Sequence, residues 1–248
     1  MISDCFPGPT DEATLFDGRL TCRQNAEGYR FSQDSVLLAH FFKPSPSEHI
    51  LDLGSGSGII ALILAYRWPG PAVTGLEIQS RLIDLARRNV ADNRLEERIK
   101  IVEGDLRNIA NHCRAASFDR VVCNPPYRKK GSARPNPDAE QAVARHEVRA
   151  ALDDIVRAAC WVMVDGGRFD LVYPVDRLAE LQDRLGSAGC PVARLRKVYG
   201  YPGAVCRLVL VEAVKGGADS DPEILPPFHV RTRQGACCSP EMARFYEP

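Results

Sequence analysis

The residues Asn124-Pro125-Pro126-Tyr127 have the types and order needed to hold an amino nitrogen for a reaction, and they follow the apolar run Phe118–Cys123. An amino group conjugated to a ring or carbonyl is a poor nucleophile because its lone pair is delocalised. The side-chain oxygen of Asn124 and the carbonyl oxygen of Pro125 can accept hydrogen bonds from the two N–H groups of such an amine, which localises the lone pair on nitrogen. The motif therefore predicts a catalytic set of four residues that directs an amino nitrogen toward an electrophile.

The two prolines and the tyrosine give this motif rigidity and a stacking surface. Proline holds φ at about −65° and has no N–H, so Pro125 and Pro126 keep the acceptor carbonyl free of a competing donor from these residues. Tyr127 can stack on the face of a base, an interaction worth about 1–3 kcal/mol. The alternative interpretation is a Pro-Pro turn that merely ends a strand. The upstream residues decide between the two.

Gly54, Gly56 and Gly58 form a glycine-rich loop that follows Asp52 and lies between a predicted strand and a predicted apolar helix. Glycines let the backbone approach a ligand closely, and the start of the helix supplies free N–H donors. The G-x-G-x-G spacing differs from the G-x-G-x-x-G of dinucleotide-binding loops. With an acidic residue in front of it, this loop suits a ligand that carries a cationic amine and no phosphate.

Acidic residues also stand at the ends of the next two predicted strands. Glu77 ends the second strand, where a carboxylate can accept hydrogen bonds from ribose hydroxyls. Asp105 follows the third strand, where it can accept from the amino group of an adenine. The carboxyl ends of parallel strands meet at one edge of a sheet. Together with Asp52, these carboxylates therefore predict a single binding cleft.

The elements that must position these residues alternate regularly from His49 onward. We predict helices between strands, including a largely helical stretch over 138–164, and strands at 49–53, 72–77, 99–102, 118–123 and 167–173. This alternation predicts an α/β fold with a mainly parallel sheet covered on both faces. The runs 191–199 and 205–214 have only a turn between them, which predicts an antiparallel closing pair of strands.

Three segments organise the chain. Residues 1–46 are expected to form an N-terminal hairpin, marked by Asp17-Gly18, and a capping helix that together are not an independent domain. Residues 47–215 form the core, and residues 216–248 form a tail that packs on it.

Composition limits the classes of partner. The chain has 248 residues, 45% of them hydrophobic, and its acidic and basic residues balance at 32 each, so no overall field attracts nucleic acid or membranes. Neither a signal peptide nor a run long enough to span a bilayer is visible, and we expect a soluble, cytoplasmic protein. The nine cysteines contain no C-x-x-C pair, which predicts reduced thiols and no metal site. The oligomeric state stays open.

The order and spacing of these motifs resemble the S-adenosylmethionine-dependent methyltransferases with a seven-stranded, Rossmann-like sheet. The resemblance covers roughly residues 28–214 and implies S-adenosyl-L-methionine as cofactor. It implies that the glycine loop passes under the methionine portion of the cofactor, that Glu77 holds the ribose and that Asp105 reads the adenine. Ile78 and Leu106, which follow these two acids, belong to the same predicted cofactor site, as does Asn124.

A narrower resemblance rests on three further segments. Residues 28–35 before the first core strand, 144–147 after the motif and 239–246 in the tail look like the bacterial tRNA1(Val) adenine-37 N6-methyltransferases. This implies that the block around Gln33 caps the cofactor cleft and that the acceptor is the exocyclic N6 of an adenosine in tRNA. His146 is interpreted as structural or loop-ordering rather than catalytic.

Basic residues provide candidate contacts with RNA. The loop directly after Tyr127 carries positive charges that could clamp phosphates around a flipped base, at Arg128, Lys129, Lys130 and Arg134. A solvated surface loop is the alternative. A second set lies on the closing strand pair, with aromatic residues between the cations, and comprises Arg194, Arg196, Lys197, Tyr199, Tyr201 and Arg207.

Other functions share the acceptor motif. Release-factor glutamine methyltransferases typically carry a sizeable helical domain before the glycine loop, whereas only some fifty residues precede it here. DNA adenine methyltransferases usually add a target-recognition domain, for which the chain has no room. Ribosomal guanine-N2 methyltransferases and a non-catalytic RNA-binding protein of the same fold stay open. For an enzyme, we expect direct methyl transfer, because positioning and lone-pair orientation suffice without a covalent intermediate.

Overall fold

The computed structural model describes residues 12–24, 32–125 and 152–248. Its first element is a hairpin of strands β1 (Glu12–Leu15) and β2 (Leu20–Arg23), paired antiparallel. The turn between them contains Asp17 at φ 53° and Gly18 at φ 81°, backbone values that Asp and Gly tolerate best. The Asp-Gly signal in the sequence therefore marks an observed turn.

Helix α1 (Gln33–Ala39) follows the hairpin and is short and largely buried. Its N-terminus is capped by Ser32, whose hydroxyl oxygen accepts a hydrogen bond from the backbone N–H of Asp34 over 3.3 Å. Such a cap satisfies one of the helix's orphan donors, as Ser at this position commonly does.

The central sheet contains parallel strands with helices between them. Along the chain the elements are β3 (His49–Leu53), α2 (Ile59–Arg67), β4 (Ala72–Glu77), α3 (Ser80–Asp92), β5 (Ile99–Glu103), β6 (Phe118–Cys123), α4 (Leu152–Val162) and β7 (Met163–Pro174). Strand β3 pairs in parallel with β4 on one side and β6 on the other, and β6 pairs in parallel with β7. The predicted parallel core is confirmed.

The sheet closes with antiparallel strands, as predicted. After α5 (Leu178–Ser187), strand β8 (Val192–Tyr199) pairs with β9 (Leu208–Val214), which inserts antiparallel to β7. Short strands β10 (Glu223–Ile224) and β11 (Phe228–His229) then pair with β8, and helix α6 (Pro240–Arg244) follows.

The predicted count of seven strands is wrong, because the described residues alone place nine strands in the central sheet. The two additional strands are only two residues each and come from the segment after residue 215. They pair with β8, which would otherwise present its backbone N–H and C=O groups at an open edge. Pairs this short leave little signal in sequence periodicity, so they were not predicted.

Several element bounds also differ from expectation. The stretch 138–164 was predicted to be mainly helical, but strand β7 already begins at Met163, and only helix α4 is described before it. Two 3₁₀ turns, at Leu106–Asn111 and Val175–Arg177, were not predicted. Residues 138–151 lie outside the described part of the chain.

The core has a layer on each face of the sheet. One layer packs the hairpin, α1, α2 and the C-terminal segment against residues such as Val122 and Val172. The other packs α4 and α5 against their sheet neighbours Val121 and Leu171. Neighbouring residues of one strand thus enter opposite layers, which is the period of two expected for a sheet covered on both faces.

A buried ionic group, called here the arginine cluster, lies in the middle strands of the sheet. Arg120 of β6 donates to Glu48 over 2.6 Å, to Glu212 over 3.2 Å and to Asp170. Glu212 also accepts from two further cations, Arg168 over 2.6 Å and Arg194 over 3.0 Å. The guanidinium of Arg120 lies 4.2 Å from the ring centroid of Phe42, just after α1.

Most of the described cysteines are free thiols, as expected, but Cys238 is disulfide-bonded. The expectation that all cysteines are reduced is therefore wrong for Cys238. Within residues 12–24, 32–125 and 152–248, no cluster of three or more potential metal-ligating side chains occurs. No helix in these ranges has the length and apolar character required to cross a membrane.

Candidate active site

The strand register brings the predicted site residues to one edge of the sheet. Asp52 of β3 lies opposite Gly75 of β4 on one side and Val122 of β6 on the other. Glu77, the last residue of β4, lies opposite Glu103 of β5. The carboxyl ends of β3, β4, β5 and β6 therefore lie side by side at what we call the carboxyl edge. This is where ligands bind in open parallel sheets.

The glycine loop has the backbone geometry that its sequence predicts. Gly54, Gly56 and Gly58 have φ values of 79°, 57° and 83°, a region that residues with a Cβ rarely adopt. The backbone N–H groups of Gly54 and Ser55 donate to the Leu76 carbonyl over 2.9 and 3.0 Å. The loop is thereby fixed to the end of β4.

Glu77 is a brace for this loop. One carboxylate oxygen accepts from the backbone N–H of Gly56 over 2.9 Å, and the other accepts from Ile78 and Gln79, each over 2.9 Å. A carboxylate offers about four lone-pair sites, and these donors occupy three of them. The predicted contact between Glu77 and a ribose stays a prediction, and Ile78 enters the site through its backbone.

Asp52 is buried at the end of β3, and neither of its carboxylate oxygens has a hydrogen-bond partner among the described residues. Burial raises the pKa of Asp52 to about 7, and the negative charge of Glu77 adds to this rise. The nearby backbone N–H of Ala61 opposes this rise. A buried carboxylate without a partner is costly, so Asp52 is suited to a cationic ligand.

Two other buried polar atoms in this region also lack partners among the described residues. They are Oγ of Ser55, in the glycine loop, and Nε2 of Gln33, at the start of α1. Buried polar groups in native proteins are nearly always hydrogen-bonded. The unpartnered carboxylate of Asp52, hydroxyl of Ser55 and amide NH2 of Gln33 fit a polar ligand that carries a cationic amine, which is the ligand that the glycine loop predicts.

Asp105 is less available than the sequence suggests. It caps the 3₁₀ turn that begins at Leu106, and it accepts hydrogen bonds from both the backbone and the side chain of Arg107. The hydrogen bonds from the Arg107 guanidinium hold the pKa of Asp105 below its ordinary value. Its predicted contact with an adenine amino group therefore has to compete with Arg107, and it stays a prediction.

Asn124 directly follows β6, at the centre of the carboxyl edge. Its side-chain Nδ2 donates to the hydroxyl oxygen of Ser35 in α1 over 2.9 Å. The contact joins residues 89 positions apart. The sequence motifs alone assign Ser35 no role at this edge. Its place three residues after the actual cap, Ser32, on the buried side of α1, was the available signal.

The rest of the predicted acceptor set is only partly described. Pro125 is buried directly after Asn124. The remaining predicted residues lie outside the described ranges, namely Pro126, Tyr127, Arg128, Lys129, Lys130, Arg134 and His146.

The second basic set is divided by the structure. Arg194 pairs with Glu212 over 3.0 Å, and Arg196 pairs with Glu241 over 2.7 Å. Because these two side chains form ion pairs with the interior and with the C-terminal segment, they are poor candidates for RNA contact. Lys197 and Arg207 are exposed, and Arg207 directly precedes β9, at the end where β9 meets the carboxyl end of β7.

Comparison with known proteins assigns the family. The family model "methyltransferase small domain" matches residues 29–176. A curated Porphyromonas gingivalis protein, tRNA1(Val) (adenine(37)-N6)-methyltransferase, is 31% identical over 242 residues, covering 93% of this chain and 92% of the relative. The chain belongs to this methyltransferase family. A protein of the same name from Bacteroides fragilis is 30% identical over 178 residues, covering 72% of this chain and 74% of the relative.

Solved structures support the fold of the methyltransferase. A crystal structure described as a predicted O-methyltransferase from Agrobacterium tumefaciens has a TM-score of 0.69 at 24% identity, covering 86% of this chain and 95% of that one. A methyltransferase from Pyrococcus furiosus has a TM-score of 0.58 at 19% identity, covering 80% and 90%. At such identities the likeness concerns the fold alone. The family makes the chain an S-adenosylmethionine-dependent enzyme.

Proposed function

We propose that the enzyme methylates the exocyclic N6 of an adenosine in tRNA, of the adenosine-37 type, by direct transfer. The observation that carries this proposal is the pairing of β3 with β6, in which Asp52 lies opposite Val122. Gly54 and Asn124 each lie two residues beyond this pair, and adjacent strands are about 4.8 Å apart. The acceptor motif and the cofactor loop are therefore neighbours. The relatives' name, which specifies adenine 37 of tRNA1(Val), supports the choice of nucleotide.

S-Adenosylmethionine, when bound, supplies a methyl group on an electrophilic sulfonium. Asp52 and Gln33 would hold its polar groups, since both have buried atoms without partners. The glycine loop would lie against it without Cβ atoms in the way, and Glu77 would keep that loop in place. Asp105 would accept a hydrogen bond from its adenine amino group if Arg107 gives up one of its hydrogen bonds to that carboxylate.

The acceptor motif acts on the nucleophile. An adenine amino group shares its lone pair with the ring, so hydrogen bonds from its two N–H bonds to Asn124 and Pro125 localise the pair on nitrogen. The same two acceptors would stabilise the positive charge that develops on the nitrogen as its lone pair takes the methyl group from sulfur. The methylated nitrogen would then lose one of its two protons to water. Positioning of this kind can lower a reaction barrier by about 7–11 kcal/mol, and it requires no general base.

The partner we propose is tRNA, bound with its target base flipped out of the stack. The basic loop at 128–134 would contact phosphates near that base, and exposed Lys197 and Arg207 would extend the positive surface. Because tRNA is a cytoplasmic substrate, we expect the enzyme to act in the cytoplasm.

The test is an acceptor screen. Wild-type enzyme and Asn124→Ala are incubated with labelled methyl donor and separate pools of tRNA, rRNA, DNA and release factor, and the products are digested and separated. We expect N6-methyladenosine in tRNA, formed about 10²–10³-fold more slowly by Asn124→Ala, with cofactor affinity changed by only a few-fold. Label found in guanine N2 or in a release-factor glutamine would identify that nitrogen as the acceptor and overturn the assignment to adenine N6. Unchanged turnover by Asn124→Ala would refute the role of the motif.

A further inference from the structure

The side-chain amide of Asn124 has two different ends, and only one of them can serve an amino nucleophile. Its oxygen accepts hydrogen bonds, whereas its NH2 group donates them. An amide rotated by half a turn would present N–H groups to the N–H groups of the acceptor. The reaction proposed above therefore needs an amide that is kept from rotating freely.

We propose that Ser35 is a positioning residue that restrains the Asn124 amide in the orientation seen in the structure. Nδ2 of Asn124 donates to Oγ of Ser35 over 2.9 Å, so the NH2 end is held toward α1. The oxygen end of the same amide is then on the side away from this contact. The proposal rests on the proposed function, because it assigns the Asn124 oxygen to an amino group.

Ser35 can fix another side chain because its own position is fixed. It is the third residue of α1 and is 2% exposed, and the helix from Ser35 to Ala39 is buried. Serine loses little conformational freedom when it is buried in this way, compared with longer polar side chains. Its hydroxyl is therefore a rigid reference point for the amide.

The far end of α1 is also held. Nδ1 of His40 hydrogen-bonds the Val36 carbonyl over 2.8 Å, and its Nε2 lies 3.3 Å from Nε of Arg67. The His40 ring stacks on Phe245 of the C-terminal segment, with centroids 4.3 Å apart. These contacts fix α1 at the end opposite Ser35, so thermal motion of the helix is not expected to turn the amide.

The kinetic consequence follows from orientation. When the Ser35 hydroxyl is removed, the Asn124 amide can rotate and spend part of its time with the NH2 end toward the acceptor. Misplacement of a reacting group can cost about 10²-fold in rate. Because Ser35 is assigned no contact with the cofactor, the loss should appear in kcat and leave cofactor affinity unchanged.

The first arm of the test compares substitutions at Ser35. Ser35→Ala and Ser35→Cys are expected to lower kcat by about 10- to 100-fold, because neither offers a strong acceptor. Ser35→Thr retains a hydroxyl and should recover at least part of the rate. Ser32→Ala is the matched control, because it removes a hydroxyl from the cap of the same helix, and it should lower thermal stability without a comparable loss of kcat.

The second arm separates positioning from a general loss of structure. Residual single-turnover rates are measured for Asn124→Ala with and without Ser35→Ala. If Ser35 acts through Asn124, the second substitution causes no further loss, because coupled residues are not additive. An equal loss in both backgrounds, or no loss in either, would overturn the proposal.

The third arm does not depend on the acceptor. Asparagine side chains are labelled with ¹⁵N, and the NH2 signals of Asn124 are assigned from their disappearance in Asn124→Ala. Slow hydrogen exchange of this NH2 group that becomes fast in Ser35→Ala supports the contact; exchange that is equal in both proteins contradicts it. If the wild type methylates no tRNA, the proposed function fails, and this arm still decides whether Ser35 holds the amide.

Discussion

Buried carboxylates occur both at the carboxyl edge and in the arginine cluster, and their surroundings are opposite. Burial raises the pKa of Asp52 and of Asp170 alike. One oxygen of Asp170 accepts from Arg120, and Glu212 beside it accepts from three arginines. Asp52, in contrast, has no hydrogen-bond partner for either oxygen among the described residues.

The difference indicates what each carboxylate is for. Charges that the fold buries for its own stability are paired within the protein, because an unpaired buried charge costs several kcal/mol, of the order of 3–5. A carboxylate left without a partner is explained most simply by a cationic partner from outside the chain. Helix α1 connects the two regions, since Ser35 contacts Asn124 at the carboxyl edge and Phe42 lies against Arg120.

The strongest test of this comparison removes the central cation of the cluster. Arg120→Leu leaves Glu48, Asp170 and Glu212 without their shared partner, and we expect a loss of about 3–5 kcal/mol in the free energy of unfolding. Urea unfolding measures it. Arg157→Leu is the control, because its ion pair with Asp154 is on the surface and is expected to contribute less than about 1 kcal/mol. Equal losses in the two variants would refute the structural role of the cluster.

The next test concerns the unpaired carboxylate and its pH dependence. The pKa of Asp52 is about 7 in the folded enzyme, against an ordinary value of 3.8. As pH rises from about 4 to 7, the unfolded chain loses this proton first, so ionisation of Asp52 increasingly destabilises the fold. We expect Asp52→Asn to be about 1–3 kcal/mol more stable than wild type at pH 8, with the difference vanishing near pH 4.

The matched variant for Asp52→Asn is Asp170→Asn, because both residues are buried carboxylates whose pKa is raised. Asp52→Asn should weaken cofactor binding, measured by calorimetry. Asp170→Asn changes a carboxylate that accepts from Arg120 in the arginine cluster, and it should leave cofactor affinity unchanged. The comparison fails if both substitutions weaken cofactor binding equally.

A smaller effect is expected at Glu77, whose carboxylate is satisfied by the backbone of the site itself. Glu77→Gln replaces an oxygen acceptor by an NH2 donor that faces backbone N–H groups, so the glycine loop should loosen. We expect cofactor affinity to fall by about tenfold, or about 1.4 kcal/mol. Glu103→Gln, at the paired position on β5, is the control and should change affinity by less than about twofold. A wild-type affinity for Glu77→Gln would count against the bracing role.

The smallest effect is expected at Arg107, which occupies the carboxylate proposed to read the adenine. Arg107→Ala removes a solvent-screened ion pair between an exposed arginine and Asp105, so the effect should be small. If Asp105 contacts the cofactor, the affinity of the Arg107→Ala variant for the cofactor should rise by about two- to threefold. Titration calorimetry with S-adenosylhomocysteine measures the change. A lower affinity would show that Arg107 itself contributes to the site.

Much of the fold could be predicted because its signals are local. The glycine spacing after Asp52, the alternation of strands and helices and the Asp17-Gly18 turn depend on residues close together in the chain. The same holds for Asn124 at the end of β6. The two additional strands were missed because β10 and β11 are two residues long, and pairing with β8, rather than propensity, makes them strands.

The availability of polar groups could not be predicted in this way. Arg194 and Arg196 have the composition of an RNA-binding strand, yet both are engaged within the protein. Asp105 has the position of a cofactor ligand, yet Arg107 occupies its carboxylate. A residue's type states which bonds it can make, and only its neighbours in space decide which bonds it does make.

Periodicity and short motifs in the sequence were enough to specify the parallel architecture, the glycine loop and the acceptor motif. The tertiary structure set which acidic residues are paired within the protein and which have no hydrogen-bond partner among the described residues. It also decided that Ser35 meets Asn124, across 89 positions of the chain. The physical reason is that hydrogen bonds act over about 3 Å, and strand register and helix packing, not distance along the chain, bring two side chains that close.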